Sequence, residues 1–187
     1  MVNVFFDTYL VFLWKGQLTK TRFKIYLDTS VPNFLFADDS PEKKEITVDF
    51  FENFIKLGIY KSFVSPVVIA EIEDTNNAQK RTELLEVIEK YPVEILEYTD
   101  KEAVEIQELA EKYIEKKIIP EKKMADALHI AICVIKNIDY LVSWNYKHLA
   151  NVNQEHKIKM LNWDLGYRVD LRIITPLELV DYGNESI

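Results

Sequence analysis

The stretch KIYLDTS, Lys24 to Ser30, decides how the rest of the chain reads. Ile25, Tyr26 and Leu27 form an apolar run that ends on Asp28, and Thr29 and Ser30 lead into a helix start reaching about Asn33. A short apolar run bounded by polar turn residues predicts a buried strand. Four more such runs follow: YKSFVS (60 to 65), VEILEY (93 to 98), DYLVSW (139 to 144) and VDLRII (169 to 174). A helix-like pattern follows each strand. This alternation predicts an α/β fold, a five-stranded parallel sheet with helices on both faces.

Backbone chemistry supports the boundaries. Ser40-Pro41, Ser65-Pro66 and Thr175-Pro176 each set a capping hydroxyl before a proline, which suits the first helical position. Thr99 with Glu102, and Thr175 with Glu178, have the spacing of a capping box. Between 100 and 117, Val104, Ile106, Leu109, Ala110, Tyr113 and Ile114 recur at helical intervals, which predicts an amphipathic surface helix. The charged stretch from Glu115 to Lys123, broken by Ile118, Ile119 and Pro120, reads as a connection between helices.

A chain of 187 residues is long enough for one sizeable core and short for two domains. With 48% apolar and 29% charged residues it has globular composition. The net charge of -8 repels polyanions as a whole, so nucleic-acid binding would rest on a local basic patch together with a metal. The single Cys133, between Ile132 and Val134, cannot form an internal disulfide; it reads as a core residue and fits a reducing cytoplasm. The apolar run Tyr9 to Trp14 is far short of the roughly 20 residues that span a bilayer, and Asp7 with no preceding basic residue spoils a secretory signal. Residues 1–23 are expected to be an appendage and residues 24–187 the domain. No membrane association is expected. Four glycines supply neither a GxxxxGK loop nor a GxGxxG turn, which argues against nucleotide-triphosphate and dinucleotide chemistry.

Three carboxylates stand out. Asp28 closes the first strand, where open parallel sheets bind ligands; as a bland alternative it caps the next helix. Glu71 follows the apolar Val67 to Ala70, so its charge needs a partner if buried; otherwise it is an exposed helix residue. Asp126 sits in MADALHIAICVI (124 to 135), apolar on nearly every face and so a central helix, although an acid there also complements the helix dipole. His129, three residues on, reads as a hydrogen-bonded packing residue. Oxygen ligands with no Cys/His cluster suit Mg²⁺ or Mn²⁺ rather than zinc. Such a cation polarises a phosphoryl oxygen and activates water.

KIYLDTSV (24 to 31), SPVVIAEIE (65 to 73), PEKKMADALHIAICVIKNIDYLVSWN (120 to 145) and KHLAN (147 to 151) occur in an order that resembles PIN-domain nucleases of the VapC toxin type. The resemblance runs from about Lys24 to Pro176. It implies a Rossmann-like sheet of order 3-2-1-4-5. Asp28, Glu71 and Asp126 match the family's first three acidic positions, with Ser30 and Ser143 as supporting residues. It further implies an endoribonuclease that uses Mg²⁺ or Mn²⁺ and a cation-activated water, acts as the toxin of a type II toxin-antitoxin system, and is blocked by an antitoxin. A homodimer is compatible with the apolar residues on the amphipathic helices.

One departure from the pattern matters. Where many members carry a fourth aspartate, this chain has Asn145, which can accept a hydrogen bond but brings no charge and would reach a metal through water. Glu121 reads as a helix-start residue rather than a replacement acid. Lys122, Lys123 and Lys147 are candidate RNA contacts, with Tyr146 or Trp144 for stacking. The missing acid keeps a second reading in play, a catalytically weak PIN-like module that binds RNA or a protein partner.

Overall fold

The computed structural model describes residues 22–145 and 152–184, and the side chains of 152 and 181–184 are left aside. Residues 1–21 of the expected appendage, and Tyr146 and Lys147 of the expected RNA contacts, lie outside the described residues.

Strands β1 (Lys24–Leu27), β2 (Lys61–Val64), β3 (Val93–Ile95), β4 (Tyr140–Val142) and β5 (Arg172–Ile174) form one sheet in the order β3-β2-β1-β4-β5. All four pairings are parallel, with Tyr26 opposite both Phe63 and Leu141. Each strand lies inside its sequence-predicted run. Helices α1 (Ser30–Phe34), α2 (Pro41–Phe50), α3 (Pro66–Glu73), α4 (Ala78–Lys90), α5 (Asp100–Glu115), α6 (Met124–Ile135), α7 (Val152–Asp164) and α8 (Pro176–Asn184) fill the connections. A π-helical turn, Phe51–Ile55, continues α2, and a 3₁₀ turn, Glu121–Lys123, precedes α6.

The chain leaves β1 toward β2 and β3, then crosses back to β4 and β5. Right-handed crossovers in both directions put α1 to α4 on one face and α5 to α7 on the other. Within these groups α1 lies against α2, α3 against α4, and α5 along α6, while α2 also packs on α8. Tyr113 Oη donates to Asn162 Oδ1 at 2.6 Å and ties α5 to α7. Strand order reverses between β1 and β4, so their carboxyl ends open a crevice.

The helix starts differ in how their backbone donors are satisfied. At α3, Ser65 Oγ accepts from Val67 N at 3.2 Å. At α5 the capping box is complete: Thr99 Oγ1 accepts from Glu102 N at 3.2 Å, and Glu102 Oε2 accepts from Thr99 N at 2.8 Å. Ser40 does not cap α2 with its side chain. Its φ of -136° and ψ of 66° lie outside the usual cap conformation, and Pro41 carries that start instead. The Thr175 side of the second box is also closed by Glu178 Oε2, which accepts from Thr175 N at 2.8 Å.

Helix α6 is the central one, as its composition predicts. Ala127 and the whole run His129 to Val134 are buried, and Ile130 and Ile132 are fully so. Each such aliphatic side chain contributes roughly 1.5–3 kcal/mol by leaving water. Cys133 lies in the same core, where burial pushes its thiol pKa up. Among the described residues no helix is long and apolar enough to cross a membrane.

Candidate metal centre

Asp28 follows β1 directly and Ser143 follows β4, so the sheet places both at the mouth of the crevice. The strand ladders continue through them: Asp28 N donates to Val142 O at 3.2 Å and Ser143 N to Ile174 O at 2.9 Å. Ser143 Oγ donates to Asp28 Oδ2. Ser30 donates to Oδ1 twice, from its hydroxyl and from its backbone N–H at 3.0 Å. The two serines are themselves held, because Trp144 N donates to Ser30 Oγ and Asn145 N to Ser143 Oγ, each at 2.9 Å. Burial raises the Asp28 pKa above its ordinary value, and the electrostatic pull of His129 together with the serine donors lowers it without cancelling that rise.

Glu71 reaches the same crevice from α3. Burial pushes its pKa up, but the hydrogen bond and the electrostatic pull of His129, then the hydrogen bond from Thr29 and the charge of Lys123, outweigh this and leave it below the usual range. Thr29 Oγ1 donates to Glu71 Oε2, and His129 Nε2 lies 3.1 Å from the same oxygen. Asp126 enters from the first turn of α6, its side chain 13% exposed. Its Oδ2 is buried and has no hydrogen-bond partner. Lys123 Nζ, 3.6 Å away, offers charge without a hydrogen bond.

Asp28, Glu71 and Asp126 therefore line one cleft, of about 380 Å³, together with Thr29, Ser30, Phe34, Lys123, His129, Trp144 and Asn145. The family model described as PIN domain matches residues 25–153. The chain belongs to the PIN domain family. In PIN domains nuclease activity is general, as is the use of divalent metals. Among solved structures, this PIN chain is similar to a chain in the crystal structure of VapBC2 from Rickettsia felis bound to a DNA fragment from their promoter. That likeness has a TM-score of 0.51 at 15% identity, covers 81% of this chain and 98% of that one, and concerns the fold. No curated protein matches.

A buried carboxylate oxygen with no donor is a costly arrangement that a cation would relieve. In this PIN domain Asp126 Oδ2 accepts no hydrogen bond and is met only by the charge of Lys123 at 3.6 Å, and the oxygen-rich surroundings suit a hard divalent ion. The residues fit the group. They are not drawn together around one point, however: among the described residues, no three His, Cys, Asp or Glu side chains are grouped closely enough to hold an ion. Both Asp28 oxygens and Glu71 Oε2 are instead engaged by hydroxyls.

The other sequence candidates separate on exposure. Trp144 is only 6% exposed and its Nε1 donates to Thr47 Oγ1 at 2.9 Å, so it is a wall of the cleft and not a stacking platform. Phe34, which shares that wall, carries Lys43 Nζ 4.9 Å from its ring centroid. Lys122 and Glu121 are exposed on the 3₁₀ turn, whereas Lys123 faces the carboxylates. Sequence reasoning missed the contacts of His129 and Thr29 with Glu71. The spacing of Asp126 and His129 on one face of α6 was the available signal, and it carried no information about α3.

Proposed function

We propose that this protein is an endoribonuclease that depends on Mg²⁺ or Mn²⁺ and serves as the toxin of a type II toxin-antitoxin pair. The observation that carries the reading is the buried Oδ2 of Asp126, which accepts no hydrogen bond and has only the Lys123 ammonium at 3.6 Å, in a cleft shared with Asp28 and Glu71 at the switch point of the sheet. The general chemistry of PIN domains supports it. RNA as substrate, rather than another phosphodiester, rests on the VapC resemblance.

Asp28, Glu71 and Asp126 would hold the ion, with Asn145 contributing through water. The bound ion would supply Lewis-acid activation of water and of a phosphoryl oxygen. The chain's own residues do the positioning. Ser30 and Ser143 fix the Asp28 carboxylate in one orientation, and Thr29 does the same for one oxygen of Glu71. Lys123, one-third exposed beside Asp126, is placed to meet a phosphate that enters the cleft, offsetting locally the net charge of -8. A partner antitoxin would act by covering this cleft; the named neighbour is such a pair, which supports the idea by analogy of fold. A homodimer and a cytoplasmic setting belong to the same proposal, the latter on the lone buried thiol.

Purified protein incubated with cellular RNAs should cleave them with Mn²⁺ and not with EDTA, and Asp126→Asn should abolish cleavage and calorimetric Mn²⁺ binding while keeping the fold. Cleavage that persists in Asp126→Asn would sink the mechanism. Asn145 favours one alternative, a catalytically weak module that binds RNA or a protein partner. Wild-type protein that binds RNA but takes up no Mn²⁺ at millimolar concentration would establish that reading instead.

A further inference from the structure

A line of hydrogen bonds begins and ends on α3. Val67 N donates to Ser65 Oγ at 3.2 Å, and Ser65 Oγ lies 2.6 Å from Tyr26 Oη on β1. Tyr26 Oη lies 2.7 Å from His129 Nδ1 on α6, and His129 Nε2 lies 3.1 Å from Glu71 Oε2. Ser65 and Tyr26 are fully buried and His129 is 2% exposed. The chain itself supplies a partner at each of these three side chains, and the protons between them can be counted.

Each hydroxyl has one proton to give. If His129 is neutral with its proton on Nε2, that proton goes to Glu71, Tyr26 donates to Nδ1, Ser65 donates to Tyr26, and Val67 N–H donates to Ser65. Every donor then has an acceptor. If Nδ1 carries a proton, the direction reverses: Nδ1 donates to Tyr26 and Tyr26 to Ser65. Ser65, already accepting from Val67, is then left with a buried proton and no acceptor among the described residues. An unsatisfied buried donor is costly, and a neutral ring of that tautomer would also turn a lone pair toward the Glu71 carboxylate.

We propose that His129 is a positioning residue for Glu71, held by Tyr26 and Ser65 with Nε2–H toward Glu71 and Nδ1 as the acceptor for Tyr26. Together with Thr29 it commits Oε2 of Glu71 and leaves Oε1 as the oxygen for a ligand. The second part rests on the metal reading of the cleft. A carboxylate already turned loses less rotamer freedom when the ion arrives, which is how outer partners tune metal affinity.

The test uses the full chain. Nitrogen-15 NMR of the imidazole in metal-free protein is expected to show Nε2 protonated and Nδ1 bare. Tyr26→Phe removes one oxygen; it should disturb that pattern and weaken Mn²⁺ binding about 10-fold by calorimetry. His129→Gln, whose amide can still donate to Glu71, should bind Mn²⁺ more tightly than His129→Ala. A merely structural role would lower the thermal midpoint of these variants without moving the Mn²⁺ dissociation constant. Should His129→Ala not fold, Tyr26→Phe and the wild-type spectrum decide the matter. A protonated Nδ1 in the wild type, or unchanged Mn²⁺ affinity in Tyr26→Phe, overturns the proposal. Wild-type protein that binds no Mn²⁺ overturns the metal reading and the role of Oε1, while the spectrum still decides the tautomer.

Discussion

Helices α5 and α6 lie side by side, yet their amino-terminal ends are built on opposite terms. At α5 the cap is closed: Thr99 and Glu102 form a capping box, and Lys136 Nζ donates to Glu102 Oε1 at 2.8 Å. At α6 no side chain caps the first turn, a 3₁₀ turn leads into it, and Asp126 keeps a buried oxygen with no donor. The first end is arranged for stability. The second carries a local deficit in the cleft shared by the carboxylates, and departures from local consistency of this kind belong to functional sites.

That contrast can be broken by mutation from either end. The largest effect is expected from Asp126→Asn: Mn²⁺-dependent RNA cleavage should fall by at least about 100-fold, while the thermal midpoint does not drop. Gel assays beside calorimetric melting would read both, and a strongly destabilised variant with residual cleavage would mean that the acid is structural. Thr99→Ala should do the reverse, costing about 1 kcal/mol in urea unfolding with Mn²⁺ affinity unchanged.

Acid sharpens the same comparison. The Lys136 hydrogen bond, with the Thr99 backbone, holds Glu102 at about 2, below its ordinary 4.5. Because the folded value is the lower one, the contribution is fully present above 4.5 and is lost as pH falls toward about 2. Glu102→Gln should flatten the acid limb of stability in that window; an unchanged limb would show that the pairing is weaker in solution. The smallest effect concerns Lys123. Its ammonium lies 3.6 Å from Asp126 Oδ2, and a charge at such a distance in water-like surroundings is worth about 1 kcal/mol. Lys123→Met should therefore tighten Mn²⁺ binding by up to about 5-fold. Weaker binding would show that Lys123 helps to assemble the site.

The strand runs and most helix starts were legible because they are local. Apolar runs between polar turns, and hydroxyl-proline pairs, act over a few residues, and the sheet follows from them. Ser40 shows the limit of that reasoning: the residue type is right for a cap, but its backbone angles take the hydroxyl out of use. Trp144 shows another, since an aromatic just past β4 looked available for stacking until Thr47 and the core enclosed it.

By itself, then, the sequence determined the alternation of strands and helices, the central place of α6, and three candidate acids on separate elements, while their sharing one cleft is read from the fold. Only the tertiary structure decided what each acid touches. Ser143 meets Asp28 across 115 residues of chain, and Tyr26 meets His129 across 103. Periodicity reports which face of an element is buried, and it is silent on which side chain arrives from another element to satisfy a buried polar atom. That Asp126 Oδ2 accepts no hydrogen bond was invisible in the sequence for that reason: to know that a hydrogen bond is missing requires every neighbour in space, and the fold alone supplies them.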